Sequence, residues 1–486
     1  MKKHIKYLAS AAVLVGVLAS CSEDRLDEIN VDPNHPTNVS SEYIIPDVLM
    51  STGFNVVGAD LNFYSMVYTE LQVGVYNQMY NAEIRTTEPQ SSSTYNNQWG
   101  SLYKNLYNLK VIIEKCSEGG NEAGNNVTLG IAQIMNAYNL ALLTDLFGDV
   151  PYSEALQPGV IFTPKLDKQE DLYPQIMQNL TDGIANIEAG SGFPSLGIQD
   201  FYYGGDADSW VRLANGLLAR YTLRLSNVSP DYDAVLAYVD KSFTDASEEC
   251  TLKFNGTSTH NPIYTFFEDR DYFGASQSLK DKLTALSDPR ADKYWIAYSG
   301  NASDELSFAA NGAPLQQQGA YSISNIMGDT NPIYIMSYHE LLFVKAEAAA
   351  RNGDLTTAKS ALKEAIVAAM GKSNVAIKSE TAEAYYTAQV EPQMTDQAGA
   401  IKAISLQKYI ASYEEEGIEA YNDIRRWKAM GENNIELANP KNASGKFPLR
   451  FTYGGDDVTT NINISEAYGD GSYVYSENVW WAGGTR

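Results

Sequence analysis

The sequence is poor in the residues that most often bind metals or form disulfides. Its 486 residues include three cysteines and four histidines, and their spacing matches no structural zinc site. Basic residues are scarce as well: 35 Lys and Arg stand against 60 Asp and Glu, for a formal net charge of −25. Because nucleic-acid affinity depends on neutralising phosphates, this acidity argues against a nucleic-acid partner. We expect neither a metal ion nor another cofactor.

Long apolar runs are missing after the N-terminal region. A transmembrane helix needs about 20 consecutive apolar residues, and no later segment provides them. The chain is nonetheless 44% apolar and 20% charged, a composition typical of folded domains. No shift in composition marks a boundary between domains. We therefore expect one soluble domain over residues 41–486.

The first 20 residues are typical of a secretory signal, since a basic start is followed by an apolar run and then by small residues. The segment Leu18-Ala19-Ser20-Cys21 resembles the bacterial lipobox, in which the cysteine is acylated after cleavage. An ordinary signal peptide with a coincidental cysteine is the alternative. We expect a signal peptide at 1–20, lipidation at Cys21 and an extended strap over 21–40. The acidic Ser22-Glu23-Asp24 resembles the export signal of surface lipoproteins in Bacteroidetes-type bacteria.

The body of the chain has the periodicity of paired helices. Apolar residues recur at helical spacing in four units, at approximately 129–187, 210–243, 338–370 and 401–428. The clearest unit is 338–370, where small residues lie on both helices and Gly353 marks a tight turn between them. This unit resembles a tetratricopeptide repeat, and stacked units of that kind share a continuous core. We predict a mostly α-helical fold built from such pairs.

Four long stretches between the helices are rich in Gly, Ser, Asn and Tyr: 76–99, 255–272, 295–331 and 433–486. Long ordered loops are often functional, so we expect the ligand surface there. Catalytic motifs are missing; His339-Glu340, for example, lacks the second histidine of a zinc protease. A glycosidase needs only two carboxylates, and 60 acidic residues leave that class open.

Three segments resemble the SusD/RagB family of outer-membrane nutrient-binding lipoproteins. They are Leu143–Ala155 (LTDLFGDVPYSEA), Ser287–Arg290 (SDPR), and Glu414–Trp427, which begins EEEG and ends YNDIRRW. The Tyr-rich loop after Tyr76 suggests a divergent branch. The motifs themselves are interpreted as structural, with Asp423, Arg425 and Arg426 forming i, i+4 pairs with Glu415 and Glu419 along one helix.

The resemblance implies a function as well as a tetratricopeptide-like fold. Such a protein lies on the outer face of the outer membrane, held by its lipid, as a lid over a SusC-like TonB-dependent channel. It captures an oligosaccharide or a peptide and delivers it to that channel, without being an enzyme. Two other classes stay open: a glycan-degrading enzyme, and a surface adhesin or structural lipoprotein.

Binding a sugar calls for exposed aromatic rings and polar groups that pair with hydroxyls. The candidates in or beside the long loops are Tyr76, Gln78, Tyr80, Tyr95, Trp99, Tyr272, Phe273, Tyr298 and Tyr321. Each ring has a core position as its alternative, most clearly Trp99, because a tryptophan there tends to pack a helix in this family. Cys116 and Cys250 are expected to be buried, free thiols.

Overall fold

The computed structural model describes residues 39–486. The predicted signal peptide, Cys21 and nearly all of the strap therefore lie outside the described residues. In the described part, helices dominate and strands are few and short. The α-helices are α1 Ser41–Ser51, α2 Asp60–Tyr68, α3 Asn77–Glu83, α4 Asn96–Cys116, α5 Asn126–Phe147, α6 Gln169–Ala189, α7 Ala207–Arg224, α8 Tyr232–Val239, α9 Pro262–Asp269, α10 Gln277–Ala285, α11 Tyr338–Arg351, α12 Leu355–Gly371, α13 Ser379–Tyr385, α14 Gln397–Ala411, α15 Gly417–Ala429, α16 Pro440–Ala443, α17 Gly455–Thr460 and α18 Ile462–Tyr468.

The described strands form three two-stranded antiparallel sheets. They are β1 Gln72–Gly74 with β3 Phe273–Ala275, β2 Cys250–Leu252 with β6 Ile333–Met336, and β4 Trp295–Ile296 with β5 Ile323–Ser324. Each pair joins segments that are far apart in sequence, except β4 and β5. These sheets fasten the long loops to the helical body.

Helices α5 and α6 pack most extensively, as the sequence predicts. Glycines allow the close approach: a Cβ on Gly130 would lie 2.5 Å from the carbonyl oxygen of Gly183. Of the helices in residues 39–486, α5 alone is long and apolar enough to cross a membrane, but 89% of its apolar window is buried inside the protein. That burial is what the core helix of a folded domain requires.

Helices α11 and α12 form the clearest predicted pair. Ser337 caps α11 by accepting the backbone N–H of Glu340 at 3.1 Å, and Asp354 caps α12 by accepting that of Thr357 at 3.0 Å. Gly353 between them has φ +83°, the left-handed conformation that glycine adopts without strain. Both caps and the glycine lie at the positions required by a unit of two helices joined by a tight turn.

The pairs stack as repeats do. Helix α6 packs on α7, α7 packs on α8, and α8 packs on α11. The fourth predicted unit contains its two helices, but α14 packs on α11 and α12 while α15 packs mainly on α2. The buried turn 412–416 separates α14 from α15, so these two helices have different neighbours.

The charged residues of α15 do not form the i, i+4 pairs that the sequence suggests. Arg426 is buried and pairs with Glu347 of α11, with both N–H···O distances at 2.7 Å. Asp423 is also buried and receives Lys408 of α14 at 2.7 Å. The i, i+4 interpretation is therefore wrong, because these side chains point into the interface between helices. Removing one member of such a buried pair leaves an uncompensated charge.

Cys116 and Cys250 are both buried and free, as predicted. Burial raises the pKa of the Cys116 thiol to about 11 and that of Cys250 well above its usual value. Both therefore stay protonated at neutral pH and have low reactivity.

Candidate functional site

The pairing of β1 with β3 brings two of the predicted loops together. Gly74 lies opposite Phe273 in the register, and Val75 donates its backbone N–H to the carbonyl of Tyr272 at 2.8 Å. The rings of Tyr76 and Tyr272 consequently lie side by side, with centroids 5.7 Å apart. Tyr76 is 48% exposed, so its ring is open to a ligand.

Tyr272 is held in place by polar neighbours. The Asn77 amide donates to its phenol oxygen at 2.9 Å, and the Arg270 guanidinium lies 5.9 Å from the ring centroid. Hydrogen bonds from Asn77 and Arg270 stabilise the phenolate and lower the pKa of Tyr272. The residue is 8% exposed, so its ring is fixed in position and only a small part of it faces an adjoining cavity.

A cavity of about 290 Å³ opens beside Tyr272. Three of the predicted residues, Tyr272, Phe273 and Tyr298, line it. Helix α9 supplies another wall. The remaining lining residues are Gln72, Tyr264, Phe267, Glu268, Asp271, Ile323, Ser324 and Met327. The cavity thus combines five aromatic rings with amide, hydroxyl and carboxylate groups, the mixture that a sugar ring requires.

The charged groups that line this cavity are both acidic. Glu268 and Asp271 are exposed carboxylates on its wall. The pKa of Tyr298 is raised because its hydroxyl donates to the Asp271 carboxylate. Asp271 thereby accepts a hydrogen bond from the exposed Tyr298, and the acceptor-rich lining suits a ligand that carries many hydroxyl donors.

The floor of the cavity rests on a buried carboxyl group. Gln72 is buried, and its Nε2 donates to Glu414 Oε1 at 2.5 Å. Burial raises the pKa of Glu414 to about 7. Three neighbours, Tyr413, Ser324 and Gln72, hydrogen-bond to this carboxyl and partly offset the effect of burial. Glu414 therefore orients Gln72 without reaching the cavity itself.

Three other predicted residues lie near this cavity without lining it. The Tyr80 hydroxyl donates to the carbonyl of Pro314 at 2.6 Å. Tyr321 is half-buried against Val73 and Val75. Gln78 is half-buried on α3, one residue beyond Asn77. Tyr80 and Tyr321 thus hold loop segments together, and none of the three lines the cavity.

The prediction is wrong for Tyr95 and Trp99, which belong to the core. Tyr95 is fully buried and stacks on Phe451 at 4.1 Å with an interplanar angle of 4°. Trp99 is almost fully buried and donates its indole N–H to Asp457 at 2.7 Å. The reason is tertiary: the C-terminal segment covers both rings, with Phe451 stacked on Tyr95 and Asp457 accepting the indole N–H of Trp99. Neither ring has a surface for a ligand.

Sequence reasoning missed several lining residues. Tyr264, Phe267, Glu268 and Asp271 all come from α9 and the residues after it, within the stretch 255–272 that was predicted to carry the ligand surface. The run Tyr264-Thr265-Phe266-Phe267 is a local signal that could have found two of them. Gln72 had no such signal, because its place at the cavity depends on the pairing of β1 with β3.

The comparisons with known proteins decide the family. Residues 34–454 match the family described as "SusD-like_2: Starch-binding associating with outer membrane". The chain belongs to the SusD-like family. A crystal structure of a SusD/RagB family protein from Bacteroides thetaiotaomicron is 43% identical, with a TM-score of 0.86, and the match covers 92% of this chain and 100% of that one.

More distant structures share the fold. A chitin-binding protein is 24% identical with a TM-score of 0.75, and the match covers 91% of this chain and 100% of that chain. A chitin-binding SusD homologue from Flavobacterium johnsoniae is 19% identical with a TM-score of 0.73, covering 91% and 98%. No curated protein sequence is significantly similar to the chain.

Proposed function

We propose that this protein captures oligosaccharides at the aromatic cavity and delivers them to a SusC-like TonB-dependent channel in the outer membrane. The observation that carries the proposal is the convergence of Tyr272, Phe273 and Tyr298 on one cavity with carboxylate acceptors. Sugar faces stack on aromatic rings, and their hydroxyls need partners when water is displaced. The proposed activity is binding alone, without a chemical step.

The family description and two relatives support a glycan as the cargo. The family is described as starch-binding and as associating with the outer membrane, and the two distant structures are of chitin-binding proteins. Maltohexaose and chitohexaose are therefore the first probes. A peptide cargo is the competing outcome, and a mixture of hexapeptides tests it in the same assay.

The binding experiment compares Tyr298→Ala with a matched control. Tyr298 is 43% exposed at the cavity, whereas Tyr107 is 39% exposed on α4 and lines no part of the cavity. Isothermal titration calorimetry should give a dissociation constant about three- to tenfold higher for Tyr298→Ala and unchanged for Tyr107→Ala, because one stacking contact is lost. Equal affinities in both variants would place the ligand elsewhere.

Hydrolysis is the second candidate function, because Glu268 and Asp271 both line the cavity and two carboxylates are what a glycosidase requires. Incubating the protein with each hexasaccharide and separating the products by chromatography decides between the two. The proposal expects intact oligosaccharide. Shorter products that disappear in both Glu268→Gln and Asp271→Asn would establish an enzyme.

The proposed location follows from the N-terminal residues and the family description. Acylation at Cys21 would hold the protein at the outer membrane, facing the cell exterior, because two or more acyl chains give stable anchoring. A binding protein without a pore needs a channel to move its cargo inward. Pull-down after gentle detergent extraction should recover a TonB-dependent β-barrel in near-equal amount. Recovery of this protein alone would favour the adhesin alternative.

A further inference from the structure

A second cavity lies on the other side of α9. Its volume is about 510 Å³, larger than the first cavity. It is lined mainly by apolar atoms and by rings from three separate segments. The lining residues are Met50, Phe54, Phe254, Ser258, Thr259, His260, Pro262, Thr265, Phe266, Asp269 and Arg270.

Helix α9 is the common wall of the two cavities. Tyr264 and Phe267 face the first cavity, while Thr265 and Phe266 face the second. Phe266 also meets Tyr272 edge to face, with centroids 5.7 Å apart and an interplanar angle of 84°. Contacts between rings therefore run from Tyr76 through Tyr272 to Phe266, across the helix that separates the cavities.

The far end of the second cavity presents an exposed ring. Phe54 is 38% exposed and lies 6.3 Å from Phe254, centroid to centroid. It belongs to the π-helical turn Thr52–Val57, a rare conformation that occurs frequently at functional sites. A large apolar ring left open to solvent beside a cavity is available for stacking.

Polar groups accompany these rings. The exposed His260 makes a hydrogen bond through Nδ1 to Asp329 at 2.8 Å, which fixes its ring at the cavity. Asp269 and Arg270 follow on the rim, and the Arg270 side chain also reaches the ring of Tyr272. The second cavity thus repeats the chemistry of the first, with rings for stacking and side chains that pair with hydroxyls.

We propose that the second cavity is a further subsite for the same oligosaccharide, whose chain crosses α9 near Phe266 and Arg270. This inference rests on the proposed function and deepens it: the ligand is a chain long enough to occupy both sides of α9. A disaccharide fills only the first cavity. The exposed Phe54 contributes to the binding of long chains and not of short ones.

A third cavity does not compete for this role. It has a volume of about 560 Å³ and lies at the C-terminal end of α12, with Lys372 and His339 in its wall. Those two side chains are already paired, Lys372 with Glu415 and His339 with Glu416. None of its lining residues belongs to α9, the helix that walls both of the other cavities, and it shares only Phe254 with the second cavity. A chain bound there would therefore reach the first cavity only by way of the second.

The experiment measures binding of a disaccharide and a hexasaccharide of the same glycan, maltose with maltohexaose and chitobiose with chitohexaose. Two variants alter the second cavity: Phe54→Ala removes its exposed ring, and Thr265→Arg places a long side chain in it. Phe193→Ala is the control, because Phe193 is 41% exposed and lines neither cavity. Thermal unfolding of each variant establishes that the exposed substitutions leave the fold intact.

The effect of the two substitutions on affinity should depend on the length of the ligand. Phe54→Ala and Thr265→Arg should raise the dissociation constant for the hexasaccharide about two- to tenfold and leave that for the disaccharide unchanged, as loss of a stacking contact predicts. Equal hexasaccharide affinity in wild type and both variants would overturn the second subsite while leaving the proposed function in place. Absence of binding to both glycans at either length would overturn the proposed function, and the second subsite with it.

Discussion

Asn77 donates a hydrogen bond from its side-chain amide to the Tyr272 hydroxyl at 2.9 Å, although 195 positions separate the two residues. This bond joins the first residue of α3 to the loop after α9 at the edge of the aromatic cavity. The same edge carries the β1–β3 pairing and the contact between Tyr76 and Tyr272. The proposed ligand surface is therefore assembled from distant segments and held by polar contacts, which keeps the rings in position.

The difference between cavity rings and core rings gives the first prediction. Tyr95→Ala should lower the free energy of unfolding by about 3–5 kcal/mol, because a fully buried aromatic ring leaves a cavity when it is truncated. Tyr298→Ala should leave unfolding nearly unchanged, since the ring is largely exposed. Urea unfolding followed by circular dichroism measures both. Equal destabilisation would show that Tyr298 packs as a core residue.

The buried ion pair between α11 and α15 gives the second prediction. Glu347 accepts N–H groups of Arg426 and Arg351, and in Glu347→Gln these buried guanidinium groups keep only their second carboxylates, Asp423 and Glu432 respectively. We expect a loss of about 1–3 kcal/mol in the free energy of unfolding, because buried donors lose a charged acceptor. Asp47→Asn is the control, because its pair with Lys104 is exposed on both sides and is worth at most about 1 kcal/mol. Similar losses in both variants would contradict the buried network.

The pair of Glu416 with His339 predicts that the stability of the protein depends on pH in the acidic range. Burial alone would raise the pKa of Glu416, but His339 at 2.7 Å lowers it to about 2, below the usual value of 4.5. A carboxyl group whose pKa is lowered by folding stabilises the protein above its unfolded pKa, and that contribution is lost as the pH falls. Wild type should therefore lose stability between pH 4.5 and 2 more steeply than Glu416→Gln. Parallel profiles in urea unfolding would refute the assignment.

The crossing of α5 and α6 tests close helix packing. In Gly130→Ala the new methyl group would lie 2.5 Å from the Gly183 carbonyl oxygen, so the helices must separate. We expect a loss of about 1–3 kcal/mol in the free energy of unfolding. Gly100→Ala in α4 is the matched control, because nothing lies within 4 Å of its new methyl group. That variant should gain about 0.5–1 kcal/mol in the free energy of unfolding, because alanine favours a helix more than glycine does. A gain in both variants would contradict the close packing of α5 against α6.

The proposed anchor is tested by Cys21→Ala. The substitution removes the thiol that is acylated in a lipobox, and it leaves residues 41–486 unchanged. The variant should therefore appear folded in the soluble fraction, whereas wild type stays with the outer membrane. Mass spectrometry of the mature N-terminus provides the direct check. A wild-type chain that begins at any other residue, or at an unmodified Cys21, contradicts the anchor.

The helical pairs could be predicted because their signals are local. In the unit 338–370 the apolar period, the capping residues and the glycine turn all lie within about 35 residues, and each agrees with the others. The positions of the rings could not be read in the same way. Tyr95 is core because Phe451, 356 positions away, stacks on it. Composition placed the candidate rings in the long loops but could not tell which of them the C-terminal segment covers.

The same limit applies to the charges. Spacing along α15 suggested pairs within one helix, but Arg426 reaches Glu347 on another helix, 79 positions away. Whether a charged residue faces solvent or a neighbouring helix depends on how the pairs stack, and that is a property of the tertiary structure. The acidic wall of the cavity was missed for the same reason, since Glu268 and Asp271 gain their role only beside Tyr298.

A crystal structure with bound chitohexaose or maltohexaose tests the central claim most directly. The account predicts sugar rings in the first cavity, against Tyr272 and Tyr298, with hydroxyls within hydrogen-bond distance of Asp271 or Glu268. Sugar bound only in the third cavity, at the C-terminal end of α12, with the first cavity empty, would contradict it.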